Sequence, residues 1–337
     1  MPIKEIPNKS NPVALFVSDL HTRLDKPEYR KEQGSFFPVI AEKLKTVFDY
    51  ADGHSYYEDE TLPIFFSGDM FNSARNFMQL WSLFMLIENW NKQHDRKLKL
   101  YSVRGQHDMQ NHNINDNATS FNLLVKYDVL HVLGGLGSAL REIVKVDNTP
   151  NDSFVSIYGC GWGEDYPVPS NPNDQNVMIL HKTMWYRESV FPGQTDGNVS
   201  VESIKLHELG YNTVFSGDNH KAFDVKLGGV QFHNIGAFTR NSVDLVNQQP
   251  RFCVLKSDMS VESIYVGNKD VFDLVRSTDD KSHSRSKDEF SEALAGGYDH
   301  GDTFEGAIDK AIGAGKCGDL ELTAKQLNIL RDVRANM

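Results

Sequence analysis

The chain has 337 residues, and 46 Asp and Glu against 35 Lys and Arg leave a formal charge of −11. With 39% apolar and 11% aromatic residues it can bury a sizeable core, as one large domain or two ordinary ones. The acidic balance argues against coating nucleic acid by bulk attraction, but not against a site that itself concentrates carboxylates.

Short runs rich in β-branched and aromatic residues predict strands at 13–17, 63–66, 98–103, 154–158, 177–180, 213–215, 230–235, 252–256 and near 261–266. Helical periodicity predicts helices at 36–50 and 75–91. In the second, Phe77, Leu80, Trp81, Phe84 and Ile87 share one stripe suited to packing on a sheet. A further helix is expected at 200–209, with Ser200 as N-cap. Strands alternate with helices early in the chain and dominate later, which suggests an α/β sheet sandwich. The segment 271–303 is polar and reads as a linker. Beyond it, 304–313 and 321–334 read as helices, with Leu322, Leu327, Leu330 and Val333 facing a core or a partner. No internal repeat and no GxxxxGK[ST] phosphate loop occurs.

Cys160, Cys253 and Cys317 are odd in number and form no CxxC pair, so neither a disulfide framework nor a thiolate zinc site is expected. The first residues lack the features of a signal peptide, and no run approaches the roughly 20 apolar residues that span a bilayer. A soluble protein of the cytoplasm, without membrane contact, is the expectation.

The polar residues are the informative ones. Strand after strand runs into metal-ligand types: Ser18-Asp19-Leu20-His21, Ser67-Gly68-Asp69, Arg104-Gly105-Gln106-His107-Asp108, His181, and Ser216-Gly217-Asp218-Asn219-His220. One Asp after a strand is usually a turn former, and one His a satisfied core or surface residue; His54, His94 and His233 are read that way. Five such endings in sequence are harder to assign to turns, because functional groups of α/β sheets gather beyond the carboxyl ends of strands. Glycine before a ligand lets the chain bend sharply and bring backbone close to an ion or phosphate. Oxygen and imidazole donors without thiolates suit Mn²⁺, Fe²⁺ or Zn²⁺. Seven candidates, Asp19, His21, Asp69, Gln106, His181, Asp218 and His220, exceed one tetrahedral ion and suit two ions acting on a phosphoryl group.

In this order the residues resemble the calcineurin-like metallophosphoesterase superfamily, whose signature is D-x-H, G-D, G-N-H-[D/E], a lone His, then G-H-x-H. The likeness spans about residues 13–266. It implies a four-layer α/β/β/α sandwich with two mixed β-sheets over residues 1–270, followed here by a linker and a short C-terminal helical tail. It implies that Asp19, His21 and His220 bind one metal, that Asp69 bridges, and that Gln106, His181 and Asp218 bind the second. His107, with Asp108 beside it, would be the catalytic pair, His107 acting at the leaving-group oxygen. Gln106 stands at the usual Asn position, and Asp218 replaces the first His of G-H-x-H. A charged oxygen there leans towards a harder ion, so two Mn²⁺ are expected ahead of Fe²⁺, Zn²⁺ or Mg²⁺. Asn72 stands where many relatives have Asp, and is expected to support a ligand rather than to be one.

Within the superfamily the sequence is similar to SbcD-type repair nucleases and phage recombination nuclease subunits. The likeness lies in Asn117–Tyr127 followed by VLHVLGG, in His181-Lys182, and in Phe232–Arg240. It implies DNA as substrate, an SbcC-type ATPase subunit as partner, and a homodimer. Arg23, Arg104, Lys182 and Arg240 are the expected phosphate-binding residues, with Lys26, Arg30, Lys31, Arg187 and Lys221 near the same motifs. Two rival readings share the ligands: a phosphatase or phosphodiesterase acting on a nucleotide, phosphoprotein or other small ester, and a binding scaffold that has lost catalysis through Gln106 and Asp218.

Overall fold

The computed structural model describes residues 11–267 except 29, 32–33, 56–58, 135–140 and 146–153, together with scattered positions between 309 and 331. The elements run β1 (Pro12–Val17), α1 (Phe37–Gly53), β2 (Ile64–Phe66), α2 (Phe77–His94), β3 (Leu100–Ser102), α3 (Ser120–Lys126), β4 (His131–Val132), β5 (Arg141–Lys145), β6 (Phe154–Cys160), β7 (Gln175–His181), α4 (Val199–Glu208), β8 (Thr213–Gly217), β9 (Phe223–Leu227), β10 (Val230–Asn234), β11 (Arg251–Lys256) and β12 (Val261–Tyr265).

These strands form two six-stranded sheets, ordered β12-β11-β1-β2-β3-β4 and β5-β6-β7-β8-β10-β9. Both are mixed. β1 to β4 are parallel while β11 and β12 run antiparallel to their neighbours. In the second sheet β6, β7, β8 and β10 are parallel, edged by antiparallel β5 and β9.

Side-chain alternation along each strand decides the layering. On β1, Leu15 and Val17 join the core shared with α1, α2 and α3, where Ile40, Leu44, Phe84 and Leu123 pack. Ala14 and Phe16 point the other way, into a core shared with Ile157, Ile179 and Phe215 of the second sheet. The outer face of the second sheet sends Met178, Leu180 and Phe232 against Val199 and Leu206 of α4. Helices, sheet, sheet and helix therefore stack in four layers, as the resemblance implied.

The inter-sheet core carries a row of rings. Tyr101, Phe65 and Phe16 stack at 5.0 and 5.2 Å, and Phe16 meets Phe215 across the sheets at 3.6 Å with the rings nearly parallel. Beside it, buried Arg251 of β11 donates to Asp224 of β9 at 2.5 and 3.0 Å, and Asp224 also bonds the His233 ring at 2.8 Å. This network ties the sheets together at one end, and it gives His233 the structural role expected of it.

Several expected elements shift or were missed. The N-cap of α4 is Asn198, which accepts from Ser200, not Ser200 itself. β5 and β9 escaped the sequence reading; on β9 half-buried and exposed residues alternate without a fully buried position, so its apolar signal is weak. The expected linker 271–303 lies outside the described residues. In the tail, β13 (Lys316–Cys317) and β14 (Leu320–Glu321) form a small ribbon, so Glu321 is in a strand where a helix was expected to begin. Ile312 packs back on the core that also holds the buried faces of α1 and α2. Among the described residues no helix is long and apolar enough to cross a membrane.

Phe16→Ala should cost about 3–5 kcal/mol, measured by urea unfolding, because it removes the ring that joins both sheets. Asp224 yields a pH prediction. Burial would raise its carboxyl, but hydrogen bonds from His233 and Arg251 hold it at about 2, below the ordinary 3.8. The stability it contributes is complete above the ordinary value and is lost as pH falls through about 2. The Asp224→Asn protein should be less stable at neutral pH, and its urea midpoint should fall less steeply between about pH 5 and pH 2.

Candidate metal centre

Parallel strands place their carboxyl ends together, so β1, β2 and β3 of one sheet and β7 and β8 of the other deliver five loops to one crevice. Backbone bonds zip the first two loops: His21 N–H donates to the Asp69 carbonyl at 2.9 Å, and Thr22 N–H to that of Met70 at 2.9 Å. Asp19, His21, Asp69 and Asp218 all adopt left-handed backbone, with φ of 48°, 43°, 48° and 74°. Non-glycine residues seldom do so, and four in one crevice mark a place where the fold holds the chain against its preference.

Glycines make the approach close enough. A Cβ on Gly105 would stand 2.0 Å from Asp69 Oδ1, and one on Gly217 would stand 2.4 Å from both Ser18 Oγ and the Ser67 carbonyl. Gly68, at φ 81°, would put a Cβ 2.4 Å from His181 Nδ1. The glycines before the ligands thus serve the purpose read from the sequence.

Six of the seven expected ligands are in direct side-chain contact around Asp69 and His181 or around His21, and Asp19 joins them through His220 and Asp218. Asp69 is buried; its Oδ1 accepts from the His107 N–H at 3.0 Å. Its Oδ2 is buried without a well-formed hydrogen bond, while His181 Nε2 lies at 3.4 Å and His21 Nε2 at 3.7 Å. His21 Nε2 and His220 Nε2 converge to 3.1 Å, and His220 reaches Asp19 Oδ1 at 4.0 Å. His181 Nδ1 is fixed on the Ser67 carbonyl, which turns Nε2 towards Asp69, Asp218 and the Gln106 amide oxygen at 2.8 Å. A carbonyl on one imidazole nitrogen is the usual way a ligand histidine is oriented.

Ligand-type atoms gather in three overlapping groups: Asp19, His21 and His220; Asp19, Asp69 and His181; and His21, Asp69 and His107. Within each they lie within 4.8 Å of one another. Two adjustments to the expected ligand sets follow. Asp19, His21 and Asp69 each belong to two groups, so Asp19 also faces the second position. His107, exposed and with its ring 5.0 Å from that of His21, stands within ligand reach of the first position as well as at its mouth. Asp218 belongs to none of the groups: its Oδ1 accepts from Gln106 Nε2 at 2.7 Å and its Oδ2 from Thr183 Oγ1. Its backbone N–H donates to both Asp19 oxygens at 3.2 Å.

The electrostatics describe a pocket for positive charge. Burial would keep His181 neutral, yet Asp69, Asp19 and Asp218 around it push it up to about 10. Burial also favours a neutral Asp69, but His181 and His21 hold it well below the usual carboxylate range. Burial raises Asp19, against the pull of His220 and His181. His21 is driven down to about 3, chiefly by burial, so its lone pair is available for coordination. Buried carboxylates, one oxygen without a proper partner, and converging imidazole lone pairs fit divalent cations, and the oxygen and nitrogen donors suit Mn²⁺, Fe²⁺ or Zn²⁺.

Asp108, expected beside His107 in catalysis, has both oxygens engaged by backbone: Phe71 N–H at 3.1 Å and Gly105 N–H at 3.0 Å. Burial, and then the nearby Asp69 charge, push it up to about 7. The structure makes it a clamp between the second and third loops, not a group facing the crevice.

The four expected phosphate-binding residues are also occupied elsewhere. Arg23 pairs with Asp25, Arg104 donates to Asn122 at 3.1 Å, Lys182 meets Glu202 at 3.3 Å, and buried Arg240 donates to the Val246 carbonyl at 3.1 Å. A ladder of basic side chains directed at the crevice is not what these residues form. Sequence reasoning missed Ser18, Ser67 and Thr183, whose hydroxyl or carbonyl groups orient the ligands. The adjacency of Ser18 to Asp19 and of Ser67 to Gly68-Asp69 was the available signal; Thr183 carried none.

No protein-family model matches the chain, and no curated protein matches it. Among solved structures it is similar to the calcineurin-like phosphoesterase YfkN of Bacillus subtilis, at 12% identity and a TM-score of 0.43, covering 76% of this chain and 89% of that one. It is similar to the phosphopantetheinyl hydrolase of Mycobacterium tuberculosis, at 13% identity and a TM-score of 0.42, covering 75% and 96%. A third is a putative 5'-nucleotidase of Staphylococcus aureus, at 12% identity and a TM-score of 0.42, covering 82% of this chain and 56% of that one.

Purified protein dialysed against Mn²⁺ should carry two ions per chain by elemental analysis, the number suited to the paired donor groups. Asp69→Ala should lose both, since its carboxylate faces both positions; retention of full metal by that variant would contradict the site.

Proposed function

We propose that the chain is a metal-dependent phosphoesterase that hydrolyses phosphodiester bonds, with DNA as the first substrate to be tested. The observation that carries the reading is the buried Asp69 carboxylate, set between His21 and His181 with one oxygen directed at both. Two bound divalent ions would supply Lewis acidity at the phosphoryl oxygens and an activated water. Asp19, His21 and His220 would hold one, and His181, with Gln106 and Asp19, the other, with Asp69 between them. Asp218 acts on this second position by orienting the Gln106 amide.

His107 is the one exposed imidazole of the cluster, fixed by its backbone bond to Asp69. Its exposure supports a role in giving a proton to the departing oxygen, as general acid catalysis requires. Asp108 holds the loop that positions it. Phosphoester chemistry is also named for the solved structures that the chain resembles, while the ligand geometry carries the proposal. DNA, an ATPase subunit and a second copy belong to the same proposal through the resemblance, and a cytoplasmic setting through the cysteine pattern. The engagement of Arg23, Arg104, Lys182 and Arg240 favours a second reading, a small phosphodiester or nucleotide, because such a substrate needs no extended basic track.

His107→Ala should lower kcat by about 10²–10⁴-fold while the Mn²⁺ content stays at the wild-type value. Unchanged turnover would remove His107 from catalysis, and a lost ion would make it a ligand instead. Single-stranded DNA, duplex DNA and a small aryl phosphodiester compared under Mn²⁺ separate the two substrate readings. Hydrolysis of the small ester with DNA untouched would set aside the nuclease.

A further inference from the structure

Beside the crevice lies an aromatic pair that the phosphoesterase reading does not use. The Trp162 backbone N–H donates to the Arg104 carbonyl at 2.8 Å, so the loop after β6 is fastened to the loop that carries Gln106 and His107. A tight turn presents the indole. Gly161 N–H donates to Glu164 Oε2 at 2.9 Å, Glu164 N–H returns to the Gly161 carbonyl at 3.2 Å, and Gly163 takes φ 76°. Trp162 remains 37% exposed.

From the other side comes His112, its ring 4.5 Å from that of Trp162 at an angle of 36°. His112 and Asn111 both hold left-handed backbone, with φ of 57° and 51°. Two consecutive non-glycine residues seldom take that conformation, and such strain gathers at functional sites. His112 follows His107 by five residues, so their backbones are at most about 18 Å apart.

We propose that Trp162, flanked by His112, is a stacking platform for a nucleobase whose phosphoester sits at the metal centre. The inference rests on the phosphoesterase reading and names its substrate class. A planar base suits the pair because every base has a π-face and stacking on an aromatic ring needs no particular sequence. Arg23, Arg104, Lys182 and Arg240 are engaged elsewhere, and a stacked base supplies recognition that these four side chains do not direct at the phosphate.

Equilibrium dialysis of the full-length, Mn²⁺-loaded protein tests this with deoxythymidine monophosphate, inorganic phosphate and a single-stranded oligothymidylate. Wild-type protein should bind the mononucleotide about tenfold more tightly than phosphate, the order that one stacked base supplies. Trp162→Ala should erase that difference while leaving phosphate binding unchanged, Trp162→Phe should keep most of it, and His112→Ala should weaken it. A Trp162 dependence shared by the oligonucleotide places the base in a strand; one confined to the mononucleotide places it in a free nucleotide. Equal binding of mononucleotide and phosphate by wild-type protein, or a base preference that survives in Trp162→Ala, overturns the proposal. Failure of the phosphoesterase reading shows separately, as no hydrolysis of any ester by protein that still distinguishes base from phosphate.

Discussion

Asp19, Asp69 and Asp218 bring three like charges into one crevice, two of them fully withdrawn from water, and the surrounding structure is arranged around that repulsion. Buried carboxylates persist only when positive charge or hydrogen-bond donors face them. His181, His21 and His220 supply imidazoles, and the His107 and Asp218 backbone N–H groups supply donors. Even so, one Asp69 oxygen is left without a proper partner and His181 is driven strongly towards its charged form. The arrangement is consistent within itself once divalent cations take the remaining place.

Holding the carboxylates there requires the fold to be rigid immediately behind them. The ring stack through Phe16 and Phe215 fixes the spacing of the two sheets two residues before Ser18 and two before Gly217. The glycines at 68, 105 and 217 then allow the five loops to close on one another. Left-handed backbone at Asp19, His21, Asp69 and Asp218 is the local cost of that closure, borne by the packed layers beneath.

The proposed second metal position is where this chain differs most from the pattern it resembles. Asp218 does not join His181 as a direct partner of the Asp69 oxygen; it grips the Gln106 amide and Thr183. The carboxylate that stands where the pattern has an imidazole is met by the longer amide of Gln106 at 2.7 Å. The two departures from the signature therefore form one hydrogen-bonded unit, and the amide oxygen is left facing His181.

The sequence by itself carried the order of ligand types and the layering. Short β-rich runs ending in Asp, His and Gly were legible because strand ends and ligand types are both local, and the unbroken apolar runs of β1 and β7 fit strands buried on both faces. Weakly apolar β9 and the two-residue strands of the tail were not legible, since nothing local distinguishes them from loops. Only the tertiary structure decided which groups meet. It placed Asp19 in two donor groups, turned Asp108 inward as a clamp, moved the N-cap of α4 to Asn198, and engaged the four expected basic residues with partners of their own. It also brought Trp162 to His112 across 50 positions of sequence. Ligand type follows from a residue and its neighbours along the chain; the partner of a charge or a ring depends on which loops the two sheets bring face to face.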